Sequence, residues 1–280
     1  MTEYFAVFVQ SRPCQRMKVI QSIHTPRLDR RAYAPRQAFA VDPKRPQRYR
    51  LRLSRYMVLA QDISDWAGAA SLAGRTLSVL DVGCGWGPML NQLEAEPHFD
   101  NIRISACDMT DAELYKPELY QEFFLGDLAG GYPEIGSERY DVVVCEQVLE
   151  HLDSIDRAIA TLARLTRPGG ILVIGVPIFF PPLHLARKYL VPRLAGILRH
   201  PETASHLQAF SLFSFLRLLR AYPSLSLVKA RGFRIISGGL LRPLENYRWW
   251  WQLNQRLGAL LPALCIEVQV ILRKSSGASC

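Results

Sequence analysis

The feature that most constrains this chain is an apolar run that leads directly into three alternate glycines. Leu77–Val82 predicts a buried strand, and Gly83, Gly85 and Gly87 follow it. Glycine permits positive φ and lets a ligand approach the backbone closely. Pro88 then favours the first turn of a helix. This order predicts a ligand-binding loop at the carboxyl edge of an open α/β sheet.

Further apolar runs alternate with stretches of helical spacing along the rest of the chain. The predicted strands are Leu77–Val82, Ile102–Cys107, Glu122–Leu125, Tyr140–Cys145, Ile171–Val176, Leu225–Ile235 and Cys265–Leu272. The predicted helices are Gln47–Leu72, Pro88–Ala95, Ile155–Leu165, Ser211–Tyr222 and Arg242–Leu261. Such alternation predicts an α/β fold with a doubly wound, mostly parallel, Rossmann-like seven-stranded sheet. An insertion at 177–207 interrupts the alternation after the fifth strand.

The charge is concentrated at the start of the chain. Residues 1–60 contain 13 Lys+Arg and 3 Asp+Glu, a balance of +10, whereas the other 220 residues contain 21 and 22, a balance of −1. We therefore expect a basic arm at 1–45 and one domain at 46–280. Such an arm can bind anionic lipid or nucleic acid, or it can be a solvated leader.

The remaining composition bears on location. The six cysteines form no C-x-x-C pair and show no zinc spacing with histidine, which favours a reducing compartment. The start of the chain has no basic segment of the kind that opens a signal peptide, and no apolar stretch reaches the length of about 20 residues that spans a bilayer. We expect a cytoplasmic protein, with peripheral contact at the inner face of the membrane as an option.

The spacing of the glycine loop separates two cofactor classes. A dinucleotide loop has G-x-G-x-x-G, but Pro88 stands where its third glycine would fall. The segment from Asp81 to Gly87 reads D-x-G-x-G-x-G and resembles the first motif of class I S-adenosylmethionine-dependent methyltransferases. The resemblance implies S-adenosyl-L-methionine as cofactor, bound by Asp81, Gly83, Gly85 and Gly87. Asp81 can equally hold the turn through hydrogen bonds.

The same resemblance implies further cofactor contacts at the ends of the following strands. Asp108, followed by Met109, would accept hydrogen bonds from the ribose hydroxyls. Asp127, followed by Leu128, would lie near the adenine amino group. Glu146 would contact cofactor or substrate above the fourth strand. The alternative for each acidic residue is a solvated or structural carboxylate.

Residues 140–152 and 167–170 resemble the small-molecule branch of the family, which includes quinone-pathway O-methyltransferases. Transfer to a weakly acidic hydroxyl needs a base, and histidine ordinarily titrates near pH 6.5, about the right range. The candidates are His151 and His206, although a structural histidine is an equal alternative for each. Some of these relatives have E-x-x-E-H, a possible divalent-metal site, but Gln147 replaces the first glutamate here and we predict no metal.

The predicted function is O-methylation of a small or lipid-linked acceptor, such as a quinone or glycan intermediate. An RNA or protein methyltransferase using the basic arm is the first alternative, and a non-catalytic cofactor-binding adaptor is a weaker one. The [DN]-P-P-[YF] segment of base N-methyltransferases is absent after the fourth strand, which weighs against methylation of adenine or cytosine amino groups, and nucleic acid is an unlikely partner. The basic apolar segment Pro177–His200 suits either a membrane interface or a lid. Trp249–Trp251 suits an interface or aromatic stacking, or a helix packed on the sheet.

Overall fold

The structure is a computed structural model that describes residues 54–110, 114–180, 208–235, 241, 244 and 247–276. The predicted basic arm, 1–45, lies outside the described residues. The predicted insertion, 177–207, lies outside them except for 177–180. No helix within the described part of the chain is long and apolar enough to cross a membrane.

The described residues form seven strands and five α-helices. The strands are β1 (Leu77–Val82), β2 (Ile102–Asp108), β3 (Phe123–Leu125), β4 (Tyr140–Glu146), β5 (Thr166–Pro177), β6 (Leu225–Phe233) and β7 (Glu267–Lys274). The helices are α1 (Ser54–Leu72), α2 (Pro88–Leu93), α3 (Ile155–Leu165), α4 (Leu212–Leu219) and α5 (Arg248–Leu260). Every predicted strand and helix has a counterpart, with ends that differ by a few residues in most cases.

All seven strands belong to one sheet in the order β3-β2-β1-β4-β5-β7-β6. Strands β1 to β5 pair in parallel, whereas β7 is antiparallel to both β5 and β6. The predicted doubly wound, mostly parallel sheet is therefore confirmed. Strands β1 to β6 all end at one edge of the sheet, and β7 begins there. We call this edge the carboxyl edge.

One difference from the expected boundaries has a clear local cause. The sequence predicts the fifth strand from Ile171, whereas β5 already begins at Thr166 and runs through the Arg-Pro-Gly-Gly segment 167–170. A register shift between Tyr140 and Val142 accommodates these extra residues. Ser211, the first residue of the predicted helix, caps α4, because its hydroxyl accepts a hydrogen bond from the Ser214 backbone in a capping box.

The sheet is buried on both faces. Alternate residues of β4, Val143 and Cys145, pack with α3 and α4, whereas Val142 and Val144 pack with α1 and α2. All residues of β4 are buried, as expected for a central parallel strand. The parity of β4 also places Glu146, its last residue, on the α1 side.

A row of residues, all polar except Gly175, crosses four neighbouring strands close to the carboxyl edge. The register pairs Glu146 of β4 with Gly175 of β5, Gly175 with Gln269 of β7, and Gln269 with Arg231 of β6. The Gln269 amide donates to Glu146 Oε1 at 2.7 Å, and Gln269 Oε1 accepts from Arg231 Nε at 2.8 Å. These three polar side chains are buried, and the glutamine links the two charged ones.

Helix α1 completes this row with ionic contacts. Arg55 places Nε 3.1 Å from Glu146 Oε2 and Nη1 3.1 Å from Glu267 Oε2. Two helical turns later, Asp62 Oδ2 lies 2.6 Å from Nη1 of Arg231. We call Arg55, Asp62, Glu146, Arg231, Glu267 and Gln269 the buried charge layer. It fixes α1 across β4, β5, β7 and β6 by paired charges.

Gly175 makes room for this layer, which gives a test of the fold. A Cβ on Gly175 would overlap the carboxyl group of Glu146. Gly175→Ala must therefore move a paired, buried carboxylate, and we expect a loss of about 1–3 kcal/mol in the free energy of unfolding, typical of overpacking. Urea denaturation monitored by circular dichroism measures it.

Gly136→Ala is the matched control, because a Cβ there meets nothing within 4 Å. Equal stability of the two variants would show that the carboxylate of Glu146 has room to move, contrary to this description of the layer.

Candidate active site

Three acidic residues lie near the ends of neighbouring strands at the carboxyl edge. Asp108 and Glu146 are the last residues of β2 and β4, and Asp81 is the last but one of β1, which lies between these strands. The glycine loop connects β1 to α2 at the same place. The structure thus brings together most of the predicted cofactor-binding residues, which are far apart in sequence.

The loop depends on the conformational freedom of its glycines. Gly83, Gly85 and Gly87 have φ values of +71°, +55° and +88°, all in the left-handed region. The Gly83 N–H donates to the Cys107 carbonyl of β2 at 2.8 Å, which holds the start of the loop against the sheet. A Cβ on Gly83 would also overlap Val148. The three glycines therefore meet a backbone requirement, and Gly83 meets a packing requirement as well.

Asp108 holds the middle of the loop. Its Oδ2 accepts a hydrogen bond from the Gly85 N–H at 2.7 Å, and its Oδ1 accepts from the Thr110 N–H at 3.3 Å. The side chain is half-buried, and a carboxylate has lone pairs left for further donors. A Cβ on Gly85 would meet nothing within 4 Å, so the loop is open beside Asp108. An open glycine next to a carboxylate acceptor fits the ribose and the adjoining atoms of an adenosyl cofactor.

Asp81 lies beneath the loop and is buried. Burial, reinforced by the nearby carboxyl groups of Glu146 and Asp108, raises the pKa of Asp81 to about 8. The carboxyl group is therefore largely protonated at neutral pH when no cation is nearby. A positively charged group placed beside it would favour the ionised form.

The residues that follow β2 and β3 lie in different surroundings. Met109 is 72% exposed, beside Asp108. Asp127 is exposed and accepts a hydrogen bond from the Ala129 N–H at 2.9 Å, capping the short 3₁₀ helix Leu128–Gly130. Leu128 is buried in the core. Asp127 therefore acts as a helix cap in the structure. Contacts of Met109, Asp127 and Leu128 with the cofactor stay predictions.

Glu146 already has partners for both carboxyl oxygens, Arg55 and Gln269. Burial raises the pKa of Glu146 to about 7, and these two partners oppose the shift. The expected role at the cofactor or substrate stays a prediction. In the structure this carboxylate lies between α1 and β7, at the carboxyl edge and within the buried charge layer.

A short 3₁₀ helix, Leu149–His151, follows β4 and carries the first predicted base. His151 is exposed, and its Nε2 lies 3.8 Å from Oε1 of Glu150. The Glu150 side chain is fully buried, and neither carboxyl oxygen has a hydrogen-bond partner among the described residues. Burial raises the pKa of Glu150 to about 7, with Glu146 and Glu267 adding to the shift and Arg55 opposing it. His206, the second predicted base, lies outside the described residues.

Sequence reasoning overlooked several residues of this edge. Arg55 and Gln269 belong to the buried charge layer, and Tyr120 lies against the glycine loop, where a Cβ on Gly87 would come within 2.9 Å of its hydroxyl. A signal for the layer exists in β7, where Glu267 and Gln269 stand two apart in an otherwise apolar run and so share one face. No sequence pattern signals that Glu150 is buried.

The described residues also bear on metal binding. Within them, no group of three or more His, Cys, Asp or Glu side chains is arranged to hold a metal ion. Four cysteines, Cys84, Cys107, Cys145 and Cys265, are buried free thiols.

Several known proteins are similar to this chain. The ubiquinone biosynthesis O-methyltransferase of Rickettsia conorii is 28% identical over 103 residues, which cover 35% of this chain and 34% of that protein. The enzyme of the same name from Paraburkholderia phytofirmans is 28% identical over 191 residues, covering 65% of this chain and 75% of that protein. Among the first three curated relatives, all from Rickettsia, the match spans only 34% to 42% of their length.

Solved structures are similar at lower sequence identity. The 1,6-didemethyltoxoflavin-N1-methyltransferase of Burkholderia thailandensis, solved with S-adenosylhomocysteine, is 19% identical with a TM-score of 0.47. The alignment covers 79% of this chain and 78% of that one.

A family model described as a methyltransferase domain matches residues 33–222, more than half of the chain. This match includes the glycine loop, Asp108 and the segment that follows β4. The chain therefore belongs to the methyltransferase-domain family, which confirms the resemblance to class I S-adenosylmethionine-dependent methyltransferases and, with it, the predicted cofactor.

Proposed function

We propose that this chain transfers a methyl group from S-adenosyl-L-methionine to a hydroxyl oxygen of a small or lipid-linked acceptor of the quinone type. The observation that carries the proposal is the open glycine loop with Asp108 at its centre, in a chain whose curated relatives are named ubiquinone biosynthesis O-methyltransferases. Those names favour a quinone precursor over a glycan intermediate as the acceptor.

The glycine loop and Asp108 would hold the cofactor. Asp108 accepts from the ribose hydroxyls while it keeps its hydrogen bond from Gly85, so one carboxylate fixes both the loop and the ligand. The bound cofactor supplies an electrophilic methyl group next to a positive sulfur. Asp81, buried beneath the loop, becomes more acidic when a positive charge lies nearby and so favours a cationic ligand.

His151 and Glu150 would handle the proton. As the acceptor oxygen forms its bond to the methyl carbon, and the bond from that carbon to sulfur breaks, the hydroxyl proton passes to the His151 imidazole. Glu150, 3.8 Å away and buried, then stabilises the imidazolium as an ionised carboxylate. The nearly water-free surroundings of Glu150 strengthen this interaction.

Peripheral membrane contact is part of the proposal, since a lipid-linked acceptor lies in a bilayer. The +10 balance of residues 1–60 and the basic apolar segment Pro177–His200 support it. A basic residue near an anionic surface contributes about 1 kcal/mol, so several together suffice for reversible attachment.

One prediction concerns the cofactor. Asp108→Ala removes charge-assisted hydrogen bonds to two hydroxyls, and we expect binding of S-adenosylmethionine to weaken about ten- to a hundredfold, or 1.5–3 kcal/mol. Isothermal titration calorimetry measures it. Asp100→Ala, which removes an exposed carboxylate away from the loop, should bind as the native chain does. Binding of NAD in place of S-adenosylmethionine, or equal affinity in both variants, would refute the assignment.

Another prediction concerns the base. His151→Ala should lower kcat by about 10²–10⁴ with little change in cofactor affinity, and Glu150→Gln should lower it by about tenfold or more. Because Glu150 acts only when ionised and His151 only when neutral, native kcat should rise as the pH increases through about 7, and Glu150→Gln, which removes the first of these ionisations, should make the rise shallower. If His206→Ala alone abolishes turnover, or if Glu150→Gln keeps the native pH profile, this pair does not serve as the base.

The acceptor is tested directly. The purified chain is incubated with S-adenosylmethionine and a short-chain catechol precursor of a quinone, and S-adenosylhomocysteine is measured by chromatography. We expect S-adenosylhomocysteine and methylated catechol to form in equal amounts. Asp108→Ala should show little turnover when the concentration of S-adenosylmethionine is limiting. Methylation of total RNA or of a protein extract, without methylation of the catechol, would favour the alternative acceptors.

A further inference from the structure

One side of helix α5 carries large apolar side chains that face water. Trp249, Leu253 and Leu260 are 53%, 36% and 67% exposed. Spacings of four and seven residues place them on one face of the helix, and the exposed Arg256 lies on the same face. The other side of the helix is buried, through Trp250, Trp251 and Asn254.

Apolar side chains are also exposed in the segment that follows α5. Leu261, Leu264 and Ile266 are 45%, 43% and 43% exposed in the segment that leads into β7. We call Trp249, Leu253, Leu260, Leu261, Leu264 and Ile266 the α5 surface. A single exposed leucine is ordinary, whereas a group of this kind in one continuous stretch indicates a contact surface.

The part of the sequence that contains the α5 surface is basic. Residues 208–276 contain ten Lys+Arg and two Glu. Among the described residues of that range the single acidic side chain is Glu267, which is buried and paired with Arg55 and Arg234. The exposed charges of this part, as far as the structure describes it, are therefore basic. A contact surface that is apolar and basic fits an anionic partner.

The α5 surface reaches the edge of the sheet that carries the candidate active site. The connection from β6 to β7 begins and ends at the carboxyl edge. The Ile266 carbonyl accepts a hydrogen bond from the Ile178 N–H at 3.0 Å, directly after β5. Phe180, two residues further, is 51% exposed. The apolar residues Ile266, Ile178 and Phe180 therefore lie at the same edge of the sheet as the glycine loop and the Glu150–His151 pair.

We propose that the α5 surface lies against an anionic lipid bilayer and holds the carboxyl edge at the membrane, where a lipid-linked acceptor is found. This inference rests on the proposed function. Tryptophan and leucine on one helix face with arginine beside them suit the boundary between headgroups and acyl chains. A protein partner would need acidic groups to match the same surface, whereas an anionic bilayer presents them at any orientation.

Flotation of the full chain with vesicles tests the proposal. The probes are vesicles of equal parts phosphatidylglycerol and phosphatidylcholine, and vesicles of phosphatidylcholine alone, at physiological and high salt. We expect binding to the anionic vesicles, and a loss of about tenfold in affinity for the double variant Trp249→Gln, Leu260→Ser. Leu72→Ser, at an 88% exposed leucine at the end of α1, is the matched control and should bind as the native chain does.

A second measurement tests whether Trp249 enters the bilayer. Brominated phosphatidylcholine in anionic vesicles should quench the tryptophan emission of the native chain, and Trp249→Phe should lose most of this quenching while it still floats. Equal flotation of the double variant and the native chain would overturn the proposal, as would RNA binding without vesicle binding, or a stable dimer that covers Trp249.

The two proposals fail separately. Cofactor-dependent methylation of the short-chain catechol without flotation would leave the proposed function standing and remove the membrane surface. Flotation that depends on Trp249 and Leu260, without methylation of any quinone-type acceptor, would leave the surface and remove the proposed acceptor. Calorimetry with S-adenosylmethionine on every variant confirms that each is folded.

Discussion

Arg55 brings a full positive charge into the interior, and the arrangement around the carboxyl edge depends on how that charge is matched. An unpaired buried ion costs several kcal/mol, so the guanidinium needs carboxylates that lie equally deep. Glu146 at the end of β4 and Glu267 at the start of β7 supply them. Because β7 is antiparallel to β5, its first residue lies at the same edge as the last residue of β4, and the topology makes this match possible.

The buried charge layer also influences the cofactor site. Glu146 faces Arg55 on one side and raises the pKa of Asp81 on the other. Glu150 is affected by the same charges, with Arg55 opposing the effect of burial. The docking of α1, the ionisation of Asp81 and that of Glu150 are therefore coupled electrostatically. A change at Arg55 would therefore alter the electrostatics at Glu150 directly, and at Asp81 through Glu146.

Features that depend only on residues close together in the chain were predicted from the sequence. Three alternate glycines imply three left-handed residues, and the structure has positive φ at each of them. Ser211 has a hydroxyl just before a helical stretch and caps it. By contrast, the partners of Glu146 come from residues 55 and 269, and only the strand order and register bring these together. The sequence also did not predict that Asp127 caps a helix and that Leu128 is buried, because capping and burial depend on the packing around β3.

The three consecutive tryptophans at the start of α5 illustrate how one helix serves two purposes. Successive residues of a helix point about 100° apart, so neighbouring side chains cannot all share one environment. Trp250 and Trp251 are buried, whereas Trp249 contacts water. Gly258 allows the helix to approach β6 so closely that a Cβ there would overlap the Gly232 carbonyl. Close packing of one side against the sheet holds the other side rigidly outward, and a rigid apolar face loses little conformational entropy when it binds.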